Sequence, residues 1–133
     1  MKTKVTLLLV AAICLTFIMA TIQQNPFKAP ASADNNLNPL KGHSEYAAAG
    51  KQVFEQNCIV CHGAKGKGDG VAVAGLKKTP ADLSSAAVQS QSDGAIYWKI
   101  ESGNIPMPSY KATLQPLQIW SVVNYVRSLS KQK

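Results

Sequence analysis

The chain has few of the residues from which most enzyme sites are built. Its 133 residues include only two histidines and three cysteines, and we recognise no serine–histidine–aspartate set. The glycine-rich stretch 63–70 contains neither G-K-S/T nor a G-x-G-x-x-G that follows a predicted strand, which argues against a phosphate-binding loop. The net charge is +7, but no basic run is interleaved with aromatic residues, so nucleic-acid binding is not expected. Function must therefore be sought in the few cysteines, histidines and methionines.

Two of the three cysteines lie in the sequence Cys58-Ile59-Val60-Cys61-His62. On one helical turn, thiols at positions i and i+3 face the same way. Both can then form thioether bonds with the two vinyl groups of one porphyrin, and the adjacent histidine can bind the iron as proximal ligand. C-x-x-C-H is the pattern of c-type haem attachment. We therefore predict one haem c per chain, attached covalently through Cys58 and Cys61, with His62 as an iron ligand.

A C-x-x-C pair has three other interpretations. A thioredoxin-like redox pair requires a βαβ setting, which the sequence does not indicate. A zinc site requires four ligands, and the only other histidine is His43, which we expect to be solvated. A structural disulfide would leave the position of His62 unexplained. The third cysteine, Cys14, precedes the folded part of the chain and cannot complete a site there.

Haem iron of this kind commonly takes a second axial ligand, and Met107 is the candidate. The other two methionines, Met1 and Met19, lie in an apolar N-terminal leader. Pro106 and Pro108 flank Met107, restrict the backbone and disfavour a helix, so that a stiff extended loop can present one side chain. The alternative is that Met107 fills a gap in the core.

These residues resemble those of class I monohaem cytochromes c over about residues 42–129. The run Gly63–Gly70 is similar to the C-H-G…G-x-G-D-G loop of bacterial members, which include free carriers and domains that serve larger redox enzymes. The resemblance implies an all-α protein, with a small cytochrome c fold of three to four helices wrapped around a covalently bound haem. It also implies that His62 lies on one face of the haem and Met107 on the other.

The resemblance implies further contacts with the haem. The Pro80 carbonyl is expected to accept a hydrogen bond from the second nitrogen of His62, which would fix the imidazole and raise its basicity. Leu83 is expected to cover the porphyrin ring. Trp98 and Tyr110 could each belong to the core or donate a hydrogen bond to a haem propionate. We favour the core for Trp98, and both possibilities remain open for Tyr110.

Helical periodicity is clearest at the C-terminus. Pro116 suits a first turn, and one apolar stripe follows it. A second helix is predicted from Ser92 to Gly103, with three side chains facing the core (Ile96, Tyr97 and Ile100). A first helix is predicted to begin at Ser44 as N-cap. The residues of the C-terminal stripe are Ile119, Val122, Val123, Val126 and Leu129.

The resemblance also predicts how the first and last helices meet. Gly50 would permit a close crossing between them, because glycine has no side chain to separate the two backbones. Phe54 would pack into the crossing, and Tyr125 would pack against the face that carries Gly50 and Phe54.

The chain divides into three parts. Residues 1–22 are predicted to be a signal peptide or N-terminal membrane anchor, because Lys2 and Lys4 precede an apolar run at 5–20. That run is long for a signal sequence and short for a full span. Residues 23–41 hold three prolines and four asparagines and are predicted to be a flexible linker. Residues 42–133 are expected to form the cytochrome c domain that the resemblance implies.

The predicted function is one-electron transfer by an extracytoplasmic carrier that is not itself an enzyme. The domain would be periplasmic or extracytoplasmic, either secreted or tethered to the inner membrane through residues 5–22. We expect a monomer with a redox protein as donor and another as acceptor, such as a membrane oxidase or dehydrogenase. The alternative is a haem subunit or domain whose five-coordinate iron catalyses a reaction or senses a gas, which requires that Met107 does not bind.

Five lysines suggest how a redox partner would be attracted to the protein. The resemblance places four of them on the loop near the exposed haem edge and one beyond the methionine loop. In that position they would steer an acidic partner and accelerate encounter. The alternative, to which we give equal weight, is that they are ordinary solvated lysines. They are Lys65, Lys67, Lys77, Lys78 and Lys111.

Overall fold

The computed structural model describes residues 27–130. The expectations for the leader at 1–22, for residues 23–26 and for residues 131–133 lie outside this part of the chain. No β-strand occurs among residues 27–130, and two short 3-10 helices lie at Ala31–Asn35 and Val73–Gly75. The all-α prediction is thus confirmed. The five α-helices are α1 (Glu45–Asn57), α2 (Ile59–His62), α3 (Ala86–Gln89), α4 (Asp93–Ser102) and α5 (Pro116–Leu129).

Helices α1 and α5 cross closely at Gly50. A Cβ atom at this position would overlap the backbone carbonyl oxygen of Ser121 in α5, so only glycine permits this approach. One turn later, Phe54 is 1% exposed and its ring centroid lies 5.0 Å from that of Tyr125. The predicted crossing of the first and last helices is confirmed.

Helix α5 supplies the largest part of the core. It begins at Pro116, as predicted, and the Gln118 side chain accepts a hydrogen bond from the Gln115 backbone N–H at 2.8 Å. Trp120 is also buried and packs on Tyr97 of α4, with ring centroids 4.3 Å apart. All five residues of the predicted stripe are at most 2% exposed: Ile119, Val122, Val123, Val126 and Leu129.

Helix α4 has the predicted ends. The Ser92 hydroxyl accepts a hydrogen bond from the Ala95 backbone N–H at 3.0 Å, which satisfies one free donor of the first turn. Gly103 follows the last turn with φ of 65°, a backbone conformation that glycine adopts without a steric penalty. Ile96, Tyr97 and Ile100 are buried as predicted. At α1, in contrast, the helix begins at Glu45 but the Ser44 side chain forms no capping hydrogen bond.

Residues 27–41 differ from the expected flexible linker, and we call them the N-terminal strap. Ala33 and Leu40 are both 7% exposed, and Leu40 belongs to the main hydrophobic cluster. The Asn38 side chain donates hydrogen bonds to Asp93 at 2.9 Å and to Asn124 at 2.8 Å. The strap therefore packs on α4 and α5. Its proline and asparagine content suggested a linker because composition does not reveal that the asparagine amide has partners on both helices.

No helix within residues 27–130 combines the length and the apolar character that crossing a membrane requires.

Candidate functional site

The two cysteines lie at the junction of α1 and α2. The Cys58 N–H donates to the Phe54 carbonyl at 2.8 Å, and the His62 N–H donates to the Cys58 carbonyl at 2.9 Å. One turn of backbone therefore holds Cys58, Cys61 and His62 together. Both thiols are half-buried and not joined by a disulfide. Burial, with a smaller effect of the Cys61 thiol, raises the pKa of Cys58 to about 12.

The imidazole of His62 is half-buried and lies near Phe54 of α1. The two ring centroids are 6.4 Å apart. Nδ1 is buried and has no hydrogen-bond partner among the described residues. Burial lowers the pKa of the imidazole, and the Ala81 backbone acts in the opposite direction. The lowered pKa favours the neutral ring, which is the form that binds a metal.

This donor set fits a c-type haem. Two neighbouring thiols on one turn can take the two thioether bonds, and a neutral imidazole on the same turn can bind the iron. Nδ1 of His62 is buried without a hydrogen-bond partner, which is unfavourable. Binding of the imidazole to the haem iron would fix the orientation of this ring. The three residues Cys58, Cys61 and His62 are brought together as the sequence predicts.

Pro80 lies close to the haem-attachment turn. Its carbonyl lies against Gly68, where an added Cβ would overlap its oxygen. No described residue, Pro80 included, forms a hydrogen bond with Nδ1 of His62. The backbone that influences the pKa of the imidazole is that of Ala81, one residue further along. The role of Pro80 as the acceptor for His62 stays a prediction.

The glycine-rich loop folds back onto α2 and onto the segment that carries Leu83. Gly68 N–H donates to the His62 carbonyl at 2.9 Å, and Gly70 N–H donates to the Cys61 carbonyl at 3.1 Å. The Leu83 N–H donates to the Gly66 carbonyl at 2.7 Å, and the Leu83 side chain is half-buried against the core. These bonds place Leu83 beside α2. Its role as a cover for the porphyrin stays a prediction.

Met107 lies in an irregular loop between α4 and α5. Its backbone N–H and carbonyl both bond to Asn104, at 2.8 and 2.9 Å. Its half-buried side chain packs against the main core, as do those of Cys58 and Leu83. Met107 and Cys58 therefore both lie at the border of the same hydrophobic core. Its role as the second iron ligand stays a prediction.

Tyr110 has a partner that the sequence did not indicate. Its hydroxyl donates a hydrogen bond to the backbone carbonyl of Asn57 at 2.7 Å. Burial, and then the Cys58 and Cys61 thiols, raise the pKa of Tyr110 to about 12, so the phenol remains protonated near neutral pH. Its one proton is engaged by the Asn57 carbonyl, and its half-buried ring packs against the main core. A bond from Tyr110 to a propionate stays a prediction. The missed acceptor is a backbone atom, which has no signature in the sequence.

Trp98 does not belong to the hydrophobic core, so the core position that we favoured for it is wrong. It is half-buried and packs on Phe27 of the strap, with ring centroids 6.1 Å apart. Lys99 Nζ lies 5.4 Å from the centroid of the same Phe27 ring. Tyr97 occupies the core position instead, because the face of α4 that meets α5 carries Tyr97. A bond from Trp98 to a propionate stays a prediction.

The remaining histidine is not part of this site. His43 is exposed, and its Nδ1 lies 3.0 Å from the Glu45 carboxylate. This agrees with the expectation that His43 is solvated.

Most of this chain is similar in sequence to known proteins. The cytochrome c family model matches residues 47–130. A cytochrome c6 of Anabaena variabilis is 40% identical over 77 residues, which are 58% of this chain and 84% of that protein. A cytochrome c6 of Nostoc sp. is 35% identical over 100 residues, 75% of this chain and 76% of that protein. One from Limnospira maxima is 33% identical over 81 residues, 59% of this chain and 88% of that protein.

A solved structure also matches. It is a chain of the reducing HAO-like protein complex of Kuenenia stuttgartiensis, with a TM-score of 0.63 and 28% sequence identity. The match covers 68% of this chain and 46% of that chain. This chain therefore spans less than half of its structural neighbour.

Proposed function

The chain belongs to the cytochrome c family, and from this premise we propose that it carries single electrons between redox proteins outside the cytoplasm. The observation that supports this most directly is the turn that holds Cys58 and Cys61 together with His62, whose imidazole has a lowered pKa. Its cytochrome c6 relatives at 33–40% identity support the same class of function.

Each residue of the site has a proposed part in holding the cofactor. Cys58 and Cys61 would hold one haem c through thioether bonds, and the side chains of His62 and Met107 would bind its iron. The bound haem supplies the Fe(III)/Fe(II) couple. With both side chains bound, the iron would have no position left for a substrate. Soft thioether ligation by Met107 would favour the reduced state and raise the potential.

The protein surroundings act in the same direction as Met107. The half-buried side chains of Leu83 and Tyr110 pack against the same core as Cys58, so contact of these side chains with the porphyrin would exclude water from it. A less polar environment disfavours the additional positive charge of the oxidised state. We therefore propose a carrier with a raised potential.

We further propose that the protein works outside the cytoplasm and docks transiently as a monomer with a donor and an acceptor. The apolar run at 5–20 after Lys2 and Lys4 would direct export, whether or not it then remains as an anchor. The structural neighbour belongs to a protein complex, so docking to a larger oxidoreductase is the form of partnership that we propose first.

The experiment that tests this proposal is a redox titration of the purified protein. The protein should be red, should stain for haem after denaturing electrophoresis, and should titrate as a single one-electron couple. The oxidised form should show the weak near-infrared charge-transfer band of methionine–iron(III) ligation. A reduced protein that readily binds carbon monoxide would instead indicate the five-coordinate catalytic or sensory alternative. A colourless protein would contradict both.

A further inference from the structure

We propose that the Tyr110 hydroxyl is a positioning group that ties the methionine loop to the haem-attachment turn and so keeps Met107 on the iron. This rests on the proposed function, because it requires that Met107 is an iron ligand. Tyr110 would not touch the iron itself. It would act through the placement of the loop.

The hydrogen bond joins the two segments that carry the proposed ligands. The Tyr110 hydroxyl donates to the Asn57 carbonyl at 2.7 Å, between residues 53 positions apart in the sequence. Asn57 is the last residue of α1 and immediately precedes Cys58. Tyr110 follows Met107 by three residues. A single bond therefore fixes the methionine loop relative to the turn that holds Cys58, Cys61 and His62.

The two ends of this bond are themselves held in place. On the acceptor side, the Asn57 side chain donates to the Val53 carbonyl at 2.8 Å, within α1. On the donor side, the Tyr110 N–H donates to the Ile100 carbonyl at 3.3 Å, and the Tyr110 carbonyl accepts from Leu114 N–H at 3.0 Å. The phenol ring packs against the main core. A bond between two rigid ends transmits position, whereas a bond between mobile ends would not.

The part of the loop that carries Met107 has much less packing. Ile105 is 96% exposed, and Pro106 and Pro108 are exposed as well. The backbone of Met107 bonds to Asn104 within the same loop, and the Ser109 hydroxyl bonds to the Glu101 carbonyl in α4. These bonds fix the loop to itself and to α4. The Tyr110 hydroxyl extends that support to the haem-attachment turn.

The proposal predicts how often Met107 leaves the iron. A typical hydrogen bond of this kind changes an equilibrium by roughly two- to tenfold when it is removed. An external ligand such as imidazole binds only the open form, so its apparent affinity rises in proportion to the open fraction. Tyr110→Phe removes one oxygen atom and retains the ring. The oxidised variant should therefore bind imidazole roughly two- to tenfold more tightly than wild type.

Tyr125→Phe serves as the matched control. It removes a hydroxyl that forms no hydrogen bond in the described part of the chain, although its ring packs on Phe54 close to His62. This variant should bind imidazole with the affinity of wild type, even if it lowers thermal stability.

The measurement uses full-length holoprotein, with covalent haem verified by haem stain. Suppose that wild type shows the methionine–iron(III) band and Tyr110→Phe binds imidazole with unchanged affinity. The positioning role of Tyr110 is then wrong, while the proposed function stands. The same conclusion follows if Tyr110→Phe only lowers the thermal midpoint. If wild type itself lacks the band, methionine ligation fails, and the positioning role fails with it.

Discussion

His62 and Met107 are supported in different ways, although both are proposed to bind the same iron. His62 lies on a hydrogen-bonded turn directly after Cys61, and its half-buried imidazole has a lowered pKa that favours the neutral form. Met107 lies in a loop whose neighbouring Ile105 is almost fully exposed. We therefore expect Met107 to be the weaker and more easily displaced ligand.

Substitution of Met107 tests its role directly. Met107→Ala should retain covalent haem but open the sixth coordination site, so that the reduced protein binds carbon monoxide. The potential should fall by roughly a hundred millivolts or more, since axial ligands set haem potentials over a range of about 0.8 V. Ile105→Ala, two residues away and exposed, is the control and should match wild type. An unchanged spectrum and potential in Met107→Ala would show that another residue is the ligand.

Asp82 is expected to make stability depend on pH. Its carboxylate accepts hydrogen bonds from the Ser84 hydroxyl at 2.7 Å and the Ser84 N–H at 2.8 Å, and Lys67 lies 3.4 Å away. The Ser84 bonds, first, and then Lys67 lower the pKa of Asp82 below 3.8. A lowered pKa in the folded state stabilises the protein above pH 3.8 and ceases to do so as pH falls through the lowered value.

The variant Asp82→Asn isolates this contribution. Near neutral pH its free energy of unfolding should be smaller than that of wild type, and the difference should shrink as pH falls below about 3.8. Ser84→Ala should weaken the same dependence, because Ser84 supplies the largest part of the shift. Urea unfolding followed across this pH range provides the measurement. A difference that stays constant at all pH values would exclude the titration of Asp82 as its cause.

Among the helices, those with a long apolar stripe were predictable and the short ones were not. Helices α4 and α5 have capping residues and a periodicity that only a helix satisfies. Helix α3, with four residues, is too short to show periodicity. The N-terminal strap was misjudged because Leu40 and Asn38 gain their partners only after α4 and α5 have come together. Tertiary contacts of this kind are not encoded in a local pattern.

The crossing of α1 and α5 should depend on Gly50. In an exposed helix, glycine to alanine stabilises by about 1 kcal/mol. At Gly50 the added methyl group would overlap the Ser121 carbonyl, and overpacking costs roughly 1–3 kcal/mol. Gly50→Ala should therefore destabilise the holoprotein, by up to about 2 kcal/mol, as measured by denaturant unfolding. Gly75→Ala is the control, since an added Cβ there meets nothing within 4 Å, and it should change stability by less than about 0.5 kcal/mol.

Across the whole molecule, the attachment motif was predictable but the support around it was not. The spacing of Cys58, Cys61 and His62 is local, and a single turn brings these side chains together. The contacts that orient the site come from residues far away in the chain, such as the Ala81 backbone beside His62 and the Asn57 carbonyl that holds Tyr110. Both involve backbone atoms, which every residue has, so no residue type marks them.

The folded state should depend on the cofactor. Several side chains at the edge of the core are only partly buried, among them Cys58, Leu83 and Met107. In so small a domain, contact with a porphyrin would supply much of the missing apolar burial. The haem-free double variant Cys58→Ser/Cys61→Ser should therefore be largely unfolded by far-UV circular dichroism and should melt without a cooperative transition. Native-like helicity with a cooperative melt would contradict this expectation.

The last prediction concerns the lysines that were expected to steer a partner. Lys67 is engaged with Asp82 and Ser84, so it is less available than the sequence suggests. Lys77 and Lys78 follow the second 3-10 helix, are exposed, and form no ion pair with other described residues. A local positive patch attracts an acidic partner over about one Debye length, which is about 8 Å at physiological salt. Lys77 and Lys78 are therefore the pair to test.

Reversal of both charges, in Lys77→Glu/Lys78→Glu, should slow bimolecular electron transfer with the physiological partner at low salt, by roughly tenfold. The gap to wild type should close as ionic strength rises. Lys28→Glu/Lys41→Glu changes the net charge equally but lies on the N-terminal strap, so it separates a local patch from the total charge. If both double variants slow the reaction alike, only the net charge matters. If Lys77→Glu/Lys78→Glu matches wild type at every ionic strength, these lysines are ordinary solvated side chains. Reversal of a local charge that steers the partner would have to change the rate.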